Sequence, residues 1–286
     1  MKRKEKLSVL IIGCGNIAGG SHLSNKFSSI SHANAYKKNI NFKLTACLDS
    51  VKKKSLEFKK KWSIEKSYCS IAKLKEDYDK FDVISICVPT KYHLKYLKLA
   101  LQFKPSIVLC EKPLTLNLDE STQIVKKYKQ INTPLAVNYI RRWSNDILKL
   151  KEEINKGIYG KIISISGQYN KGIFNNGSHM VDLFIYLFGK LHVKWAGEHI
   201  YDFWKNDPSI SFILETNLSF YIMVNALNAS YYPLFEIQIY TEKKIIEMKN
   251  SGNEWIFRNT DNNKNKQITK KTRGTINQSM HNSMNN

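Results

Sequence analysis

No stretch of this 286-residue chain is apolar enough to cross a membrane as a helix. The longest apolar runs, such as Leu7–Ile12, fall far short of the roughly 20 residues a span requires. Cysteine is sparse: Cys14, Cys47, Cys69, Cys87 and Cys110 make an odd count with no C-x-x-C pair. That argues against a disulfide framework or a zinc site and for reduced thiols in a cytoplasmic protein. Acidic residues are few, 24 against 45 basic ones, for a net charge of +21. Arginine is scarce even so: Arg3, Arg141, Arg142, Arg258 and Arg273 are the whole set, and the remaining 40 basic residues are lysines. The lysine runs Lys52–Lys54 and Lys59–Lys61 fall on predicted solvated helix faces, so the charge reads as surface bias rather than a nucleic-acid footprint. There is no internal repeat, and no helix-turn-helix, zinc or aromatic RNA-binding motif. Neither nucleic acid nor a membrane is expected as a partner. The basic residues Lys2, Arg3, Lys4 and Lys6 ahead of Gly13-Cys14 loosely resemble a lipoprotein signal, but the intervening run is shorter than the usual apolar core of about 7–15 residues.

The sequence does contain enough apolar material, 42% of residues, for a substantial core, and its length suits one large or two ordinary domains. Strands are predicted at Leu7–Ile12, Phe42–Leu48, Phe81–Val88, Ser106–Cys110 and Pro134–Asn138. Helices are predicted at His32–Lys38, Val51–Lys61, Tyr92–Phe103 and Asn117–Gln130. Alternation of this kind means βαβ units and a parallel sheet covered on both faces. Gly19–Ser31, which includes His22, reads as an inserted loop. After about Trp143 the pattern changes. Helices at Asn145–Asn155 and Ser178–Phe188 accompany a series of strand-like runs between Lys161 and Arg258. The expected fold is α/β, with a parallel-sheet domain at 1–139 and an α+β domain with an open mixed or antiparallel sheet at 140–258. Residues 259–286, rich in Asn, Lys, Thr and Ser, are predicted to be a disordered tail.

Ligand chemistry in parallel sheets gathers beyond the strand C-terminal ends. Gly13, Asp49, Pro89, Glu111-Lys112-Pro113 and Asn138 all stand there. Gly13-x-Gly15-x-x-Ala18 follows the first strand and should open a helix, with Asn16 and Ile17 between the small residues. The first Gly permits the turn, the second lets main chain approach a pyrophosphate, and Ala18 allows close packing. Asp49, at the end of the second strand, would bond a ribose 2′-hydroxyl and repel a 2′-phosphate. NAD is therefore the expected cofactor, with NADP left open by Ser50 and Lys52–Lys54.

Gly13-Cys14-Gly15-Asn16-Ile17-Ala18, Cys87-Val88-Pro89-Thr90 with His93, Glu111-Lys112-Pro113-Leu114, and Gly177-Ser178-His179-x-x-Asp182 occur in the same order as in the Gfo/Idh/MocA family, named for glucose–fructose oxidoreductase and inositol dehydrogenase. The resemblance covers Leu7 to Gly189. It implies a Rossmann domain, an α/β domain whose open sheet often forms subunit contacts, and oxidation or reduction at a secondary carbinol of a sugar or polyol. By that resemblance Lys112 stands between nicotinamide and substrate, where an ammonium stabilises negative charge on the reacting oxygen. His179 matches the family's proton-transfer histidine. Asp182, one turn on, would orient His179 or bind a hydroxyl. Glu111 would hold Lys112 or the cofactor, and Pro89, Thr90 and His93 would line the cofactor.

One position departs from the family. Many members carry Asp four residues before the histidine, where this chain has Asn175. Asn can bond a hydroxyl but cannot take a proton, which points away from inositol dehydrogenases proper. Asn138, Arg141, Arg142 and Tyr169 complete the expected substrate contacts. The two adjacent arginines offer forks for phosphate or carboxylate, so an anionic group on the substrate is one reading. The expected protein is a cytoplasmic NAD(P)-dependent oxidoreductase, a dimer or tetramer, acting on a sugar or sugar-nucleotide in surface-polysaccharide biosynthesis. The alternatives are a non-redox member that uses NAD transiently, as a glycosidase or epimerase, and a degenerate dinucleotide-binding protein.

Overall fold

The computed structural model describes residues 5–20, 31–260 and 267–284. The chain divides between Tyr139 and Ile140 into two compact units, and residues from Met280 onward return to the first.

In the first unit the elements run β1 (Leu7–Ile12), α1 (His32–Lys38), β2 (Phe42–Leu48), α2 (Lys52–Trp62), β3 (Lys66–Tyr68), α3 (Ile71–Asp77), β4 (Val83–Ile86), α4 (His93–Ala100), β5 (Ile107–Cys110), α5 (Leu118–Gln130) and β6 (Leu135–Val137). The six strands form one parallel sheet in the order β3-β2-β1-β4-β5-β6, the doubly wound dinucleotide-binding arrangement. β1 explains the layering. Successive side chains leave a strand on opposite faces. Val9 and Ile11 pack with Ala33, Tyr36 and Phe58 from α1 and α2. Leu10 and Ile12 pack on the other face, in a cluster that includes Leu97 of α4 and Ile124 and Tyr128 of α5. A central strand buried on both faces must be apolar at every inward position, hence the unbroken run that marks it in the sequence.

The second unit contains α6 (Asn145–Asn155), β7 (Ile162–Tyr169), α7 (Ser178–Phe188), β8 (Leu191–Trp204), β9 (Asp207–Thr216), β10 (Tyr221–Ala226), β11 (Phe235–Thr241), β12 (Ile245–Lys249), β13 (Glu254–Thr260) and β14 (Gln267–Arg273). They form an eight-stranded mixed sheet, β14-β13-β12-β11-β7-β10-β9-β8, in which β7 and β10 are the parallel pair. One face packs on α6 and α7 through Ile165, Ile222, Ile237, Ile239, Leu150, Met180, Phe184 and Leu187. Gly167 lets α7 come close, since a Cβ there would sit 2.6 Å from the Met180 sulfur. On the other face Trp195, Tyr221 and Met223 are exposed.

The expectation of a disordered tail at 259–286 is corrected for its described residues, 259–260 and 267–284. β14 pairs with β13 in antiparallel register from Glu254↔Arg273. A short helix, α8 (Ser279–Asn282), follows. Met280 is fully buried in the first unit, and Met284 packs there against the cluster containing Val9 and Tyr36. Every residue of β14 is exposed, so this edge strand needs no apolar alternation. The polar residues 267–273 therefore belong to an ordered edge, while 261–266 and 285–286 lie outside the described residues.

The glycine motif does not itself open a helix, although its spacing suggests one; the helix that follows is the one expected at His32–Lys38. The loop closes a single turn, with Gly19 and Gly20 N–H donating to the Gly15 carbonyl. α1 then starts at His32, where His32 and Ala33 N–H donate to the carbonyls of Ile17 and Ala18. In an uninterrupted helix each of those bonds would span four residues; here each spans fifteen. The helix register resumes across the insertion predicted at Gly19–Ser31, most of which, with His22, lies outside the described residues.

Candidate functional site

The loop after β1 is shaped by Gly13. It has φ +92°, donates its N–H to the Leu48 carbonyl (2.8 Å), and lies so close to β4 that a Cβ would meet the Cys87 and Val88 main chain at 2.8 Å. Only glycine meets both demands. At Gly15 the opposite holds: a Cβ would find nothing within 4 Å, so the main chain there is open to a ligand. Asp49, just beyond β2, is pinned by main chain. Its Oδ2 accepts from Cys14 N–H (2.8 Å) and its Oδ1 from Val51 N–H (2.9 Å). Asn16 and Ile17 are exposed on the loop and Ala18 is buried beneath it. A cavity of about 730 Å³ opens beside this loop, lined by Gly15, Asn16, Val51, Lys53, Lys54 and Phe58 among others. A tight glycine turn, an uncovered glycine and a fixed carboxylate at neighbouring strand ends are what a dinucleotide requires.

Pro89 and Thr90 lie on the surface loop after β4. His93 is a correction. It is fully buried, with Nε2 2.8 Å from the Val88 carbonyl and Nδ1 2.8 Å from that of Pro113. With a main-chain carbonyl against each nitrogen, the ring presents neither of them to a cofactor. It instead clamps the loop after β4 to the Glu111-Lys112-Pro113 turn after β5. Within that turn the Lys112–Pro113 peptide is cis.

Glu111 is the best-connected residue of the set. His32 Nε2 (2.9 Å) and Asn138 Nδ2 (2.6 Å) both donate to its Oε1. Its Oε2 faces the Lys112 N–H at 3.4 Å. Burial acts to raise the pKa of this carboxyl, but the bonds and charge of His32, with those of Asn138 and Lys112 N–H, hold it below the usual range, so it is a carboxylate. Asn138 is almost fully buried, and its expected substrate contact is corrected on the donor side: its amide N–H is given to Glu111. Lys112 itself is partly exposed. Periodicity could not reveal His32, Ser85 or Tyr36, which back this turn. The only hint was a histidine heading the helix that follows the glycine loop.

In the second unit His179 occupies the first turn of α7 and is partly exposed. A π-helical turn, Gly172–Gly177, leads into it. Asp207 accepts from Phe174 N–H (2.8 Å) and Asn175 N–H (2.9 Å), and the Asn175 amide donates to the Lys171 carbonyl (3.1 Å). Ser209 and Asp202 hold Gly172 and Lys171 in the same way. None of these three residues was foreseen, because they come from β8 and β9, far along the chain.

Three further expectations change here. Asp182 and Arg142 face each other, Arg142 Nε and Nη2 donating to the two carboxylate oxygens at 2.8 and 2.7 Å. Burial nonetheless raises the Asp182 pKa, with Arg142 opposing. The pair satisfies its own charges and ties α7 to the Ile140–Trp143 turn, so it leaves neither a catalytic acid nor a free fork. Tyr169 is fully buried; its hydroxyl donates to the Ile210 carbonyl and accepts from Ile210 N–H, and burial pushes it up to about 12. It is a core residue. Arg141 is placed differently from its neighbour. It lies over the Phe235 ring at 3.8 Å, has no acidic partner among the described residues, and is drawn down to about 10 by burial. A partly buried guanidinium with no carboxylate beside it is suited to an anion or hydroxyl.

Among the described residues no cluster of His, Cys, Asp and Glu could hold a metal, and no helix is long and apolar enough to cross a membrane. The five cysteines are unpaired, four of them buried.

Residues 7–139 match the sequence profile of a family described as "Oxidoreductase family, NAD-binding Rossmann fold". Among curated proteins, D-glucoside 3-dehydrogenase of Escherichia coli K12 is 25% identical over 137 residues, 41% of this chain and 39% of that protein. Myo-inositol 2-dehydrogenase of Thermotoga maritima is 33% identical over 105 residues, 37% of this chain and 31% of that protein. These matches thus span well under half the length of either relative. Among solved structures, a levoglucosan dehydrogenase in complex with NADH superposes with TM-score 0.78 at 15% identity, covering 96% of this chain and 83% of that one. An oxidoreductase from Agrobacterium radiobacter, in complex with NAD+, L-tartaric acid and magnesium, gives 0.76 at 17% identity, covering 96% and 85%. At such identities the likeness establishes the fold.

Proposed function

We propose that this chain, whose residues 7–139 match the NAD-binding Rossmann domain of the Gfo/Idh/MocA oxidoreductase family, is an NAD(P)-dependent oxidoreductase acting on a secondary carbinol, or its ketone, of a sugar or sugar-nucleotide. Bound nicotinamide would supply or take up the hydride. Gly13 and Gly15 admit the pyrophosphate, with Asn16 and Ile17 on the same loop. Asp49 meets the adenosine ribose and favours NAD over NADP. Pro89 and Thr90 flank the cofactor, and Glu111 orders the turn that bears Lys112.

The chemistry assigned to the side chains is proton management. Lys112 donates a hydrogen bond to the reacting oxygen and stabilises it as negative charge develops. His179 takes the hydroxyl proton during oxidation and returns it during reduction. Asn175 hydrogen-bonds a substrate hydroxyl without taking its proton, and Arg141 contacts an anionic or hydroxyl group of the substrate. The exposed face with Trp195, Tyr221 and Met223 is assigned to a homo-oligomer contact. A cytoplasmic place in polysaccharide biosynthesis completes the reading.

One observation carries it: the uncovered Gly15 beside a glycine turn that Asp49 pins through Cys14 N–H. Titration of the purified chain with NADH and with NADPH, followed by nicotinamide fluorescence, tests it. Saturable binding with NADH tighter is the expected result. Preference for NADPH removes the assignment of Asp49, and binding of neither by folded, cofactor-free protein removes the oxidoreductase reading.

A further inference from the structure

The first unit carries a buried polar chain that the proposed chemistry does not use. The Tyr36 hydroxyl lies 2.7 Å from Ser85 Oγ. Ser85 Oγ lies 3.3 Å from His32 Nδ1, and His32 Nε2 donates to Glu111 Oε1 at 2.9 Å. Tyr36, Ser85 and His32 are all buried to within 1%. Asn138 closes the chain from the opposite side through the same Oε1. Apolar side chains could fill this space without the desolvation that five polar groups incur, so the arrangement makes sense where it fixes an orientation.

What it fixes is the carboxylate. Oε1 receives two donors from two separate elements, α1 and the segment after β6, which hold the carboxylate from two directions. Oε2 then lies against the N–H of the next residue, Lys112. The peptide that begins the Lys112 residue is thereby coupled to a ring held at both nitrogens. We propose that His32 is a positioning residue for Lys112: by holding Glu111 through Oε1, it sets the direction in which the turn after β5 presents the lysine side chain. The proposal deepens the catalytic reading of Lys112 and rests on it for its effect on turnover.

The test uses the full chain with His32→Phe, which fills the site without a donor, and His32→Gln, which restores an N–H donor. His32→Asn, too short to reach Glu111, replaces the Phe variant if that fails to fold. In cofactor-free protein, competitive acetylation by acetic anhydride, read by mass spectrometry, compares Lys112 with the exposed lysines of α2. The Lys112 rate relative to those lysines is expected to change by about threefold or more in the Phe or Asn variant and to return close to wild type in Gln. With a sugar substrate found by screening, kcat is expected to fall about tenfold to a hundredfold while KM for NADH stays within about threefold. An unchanged Lys112 rate in the folded Phe or Asn variant overturns the proposal. So does a Gln variant as far from wild type as Phe. Lys112→Met separates the two readings: if it keeps full turnover, the catalytic role of Lys112 falls, while the acetylation result still decides what His32 does.

Discussion

The two compact units treat their polar residues in opposite ways. In the first, the motif residues are held by groups behind them: Gly13 by the Leu48 carbonyl of β2, Asp49 by the glycine loop, and Glu111 by His32 and Asn138. In the second, residues that looked reactive satisfy one another. Arg142 and Asp182 form a closed fork, and Tyr169 spends both roles of its hydroxyl on Ile210. The difference follows from architecture. A sheet covered on both faces leaves only its strand ends for ligands, so polar residues gather there and support each other. A sheet covered on one face has polar positions along its whole length, and most of them serve the sheet.

The largest expected effect breaks the first half of that comparison. Gly13→Val places a branched side chain where even a Cβ would lie 2.8 Å from β4 and forces a left-handed φ on a β-branched residue. NADH affinity should fall by at least about a hundredfold by fluorescence titration, with some loss of stability. A variant that still binds NADH normally would show that the loop is not the cofactor cradle.

Arg142→Ala comes next. It leaves the half-buried Asp182 without its partner, and a loss of about 2–3 kcal/mol in urea unfolding is expected, below the full figure for a buried pair because Arg142 is about one-third exposed. Asp182 adds a pH signature. Its folded pKa is raised, so the native state binds the extra proton, and this group's contribution to stability is greatest below its unfolded pKa and declines as pH rises through the raised folded value. Asp182→Asn should abolish that slope and keep turnover within about tenfold, whereas His179→Ala should lose about a thousandfold. Equal losses from the two variants would return Asp182 to the catalytic set.

Met280→Ala tests the return of the chain to the first unit. Met280 is fully buried, and its sulfur lies 3.7 Å from the Asn138 amide. A loss of about 2–3 kcal/mol is expected, with weaker NADH binding if the Asn138–Glu111 bond loosens. No loss of stability would mean that the ordered end of the chain contributes little.

The sequence was most informative where geometry demands a residue type. Gly13 needs a positive φ, the central strands need unbroken apolar runs, and α4 carries Leu94 and Leu97 at helical spacing. It was least informative where support comes from far along the chain. His32 meets Glu111 across 79 residues, and Asp207 reaches Asn175 across 32. No local pattern encodes such pairs. β3, three residues long, is too short to show alternation, and β14 is exposed on every residue. Asp182 misled for a related reason: its spacing from His179 along α7 was legible, but the Arg142 fork across from it was not.

Tyr169→Phe is the smallest change and the sharpest on that last point. It removes one oxygen that both donates to and accepts from Ile210, inside a core otherwise unchanged. The expected loss is about 1–2 kcal/mol, because the Ile210 N–H and carbonyl then lose a partner in a buried place. KM for substrate should not move, since a hydroxyl turned toward β9 has no bond left to offer. If Tyr169→Phe instead raises KM several-fold at unchanged stability, the ring belongs to the substrate pocket after all. The second unit would then resemble the first, with its buried polar groups aimed at a ligand rather than at each other.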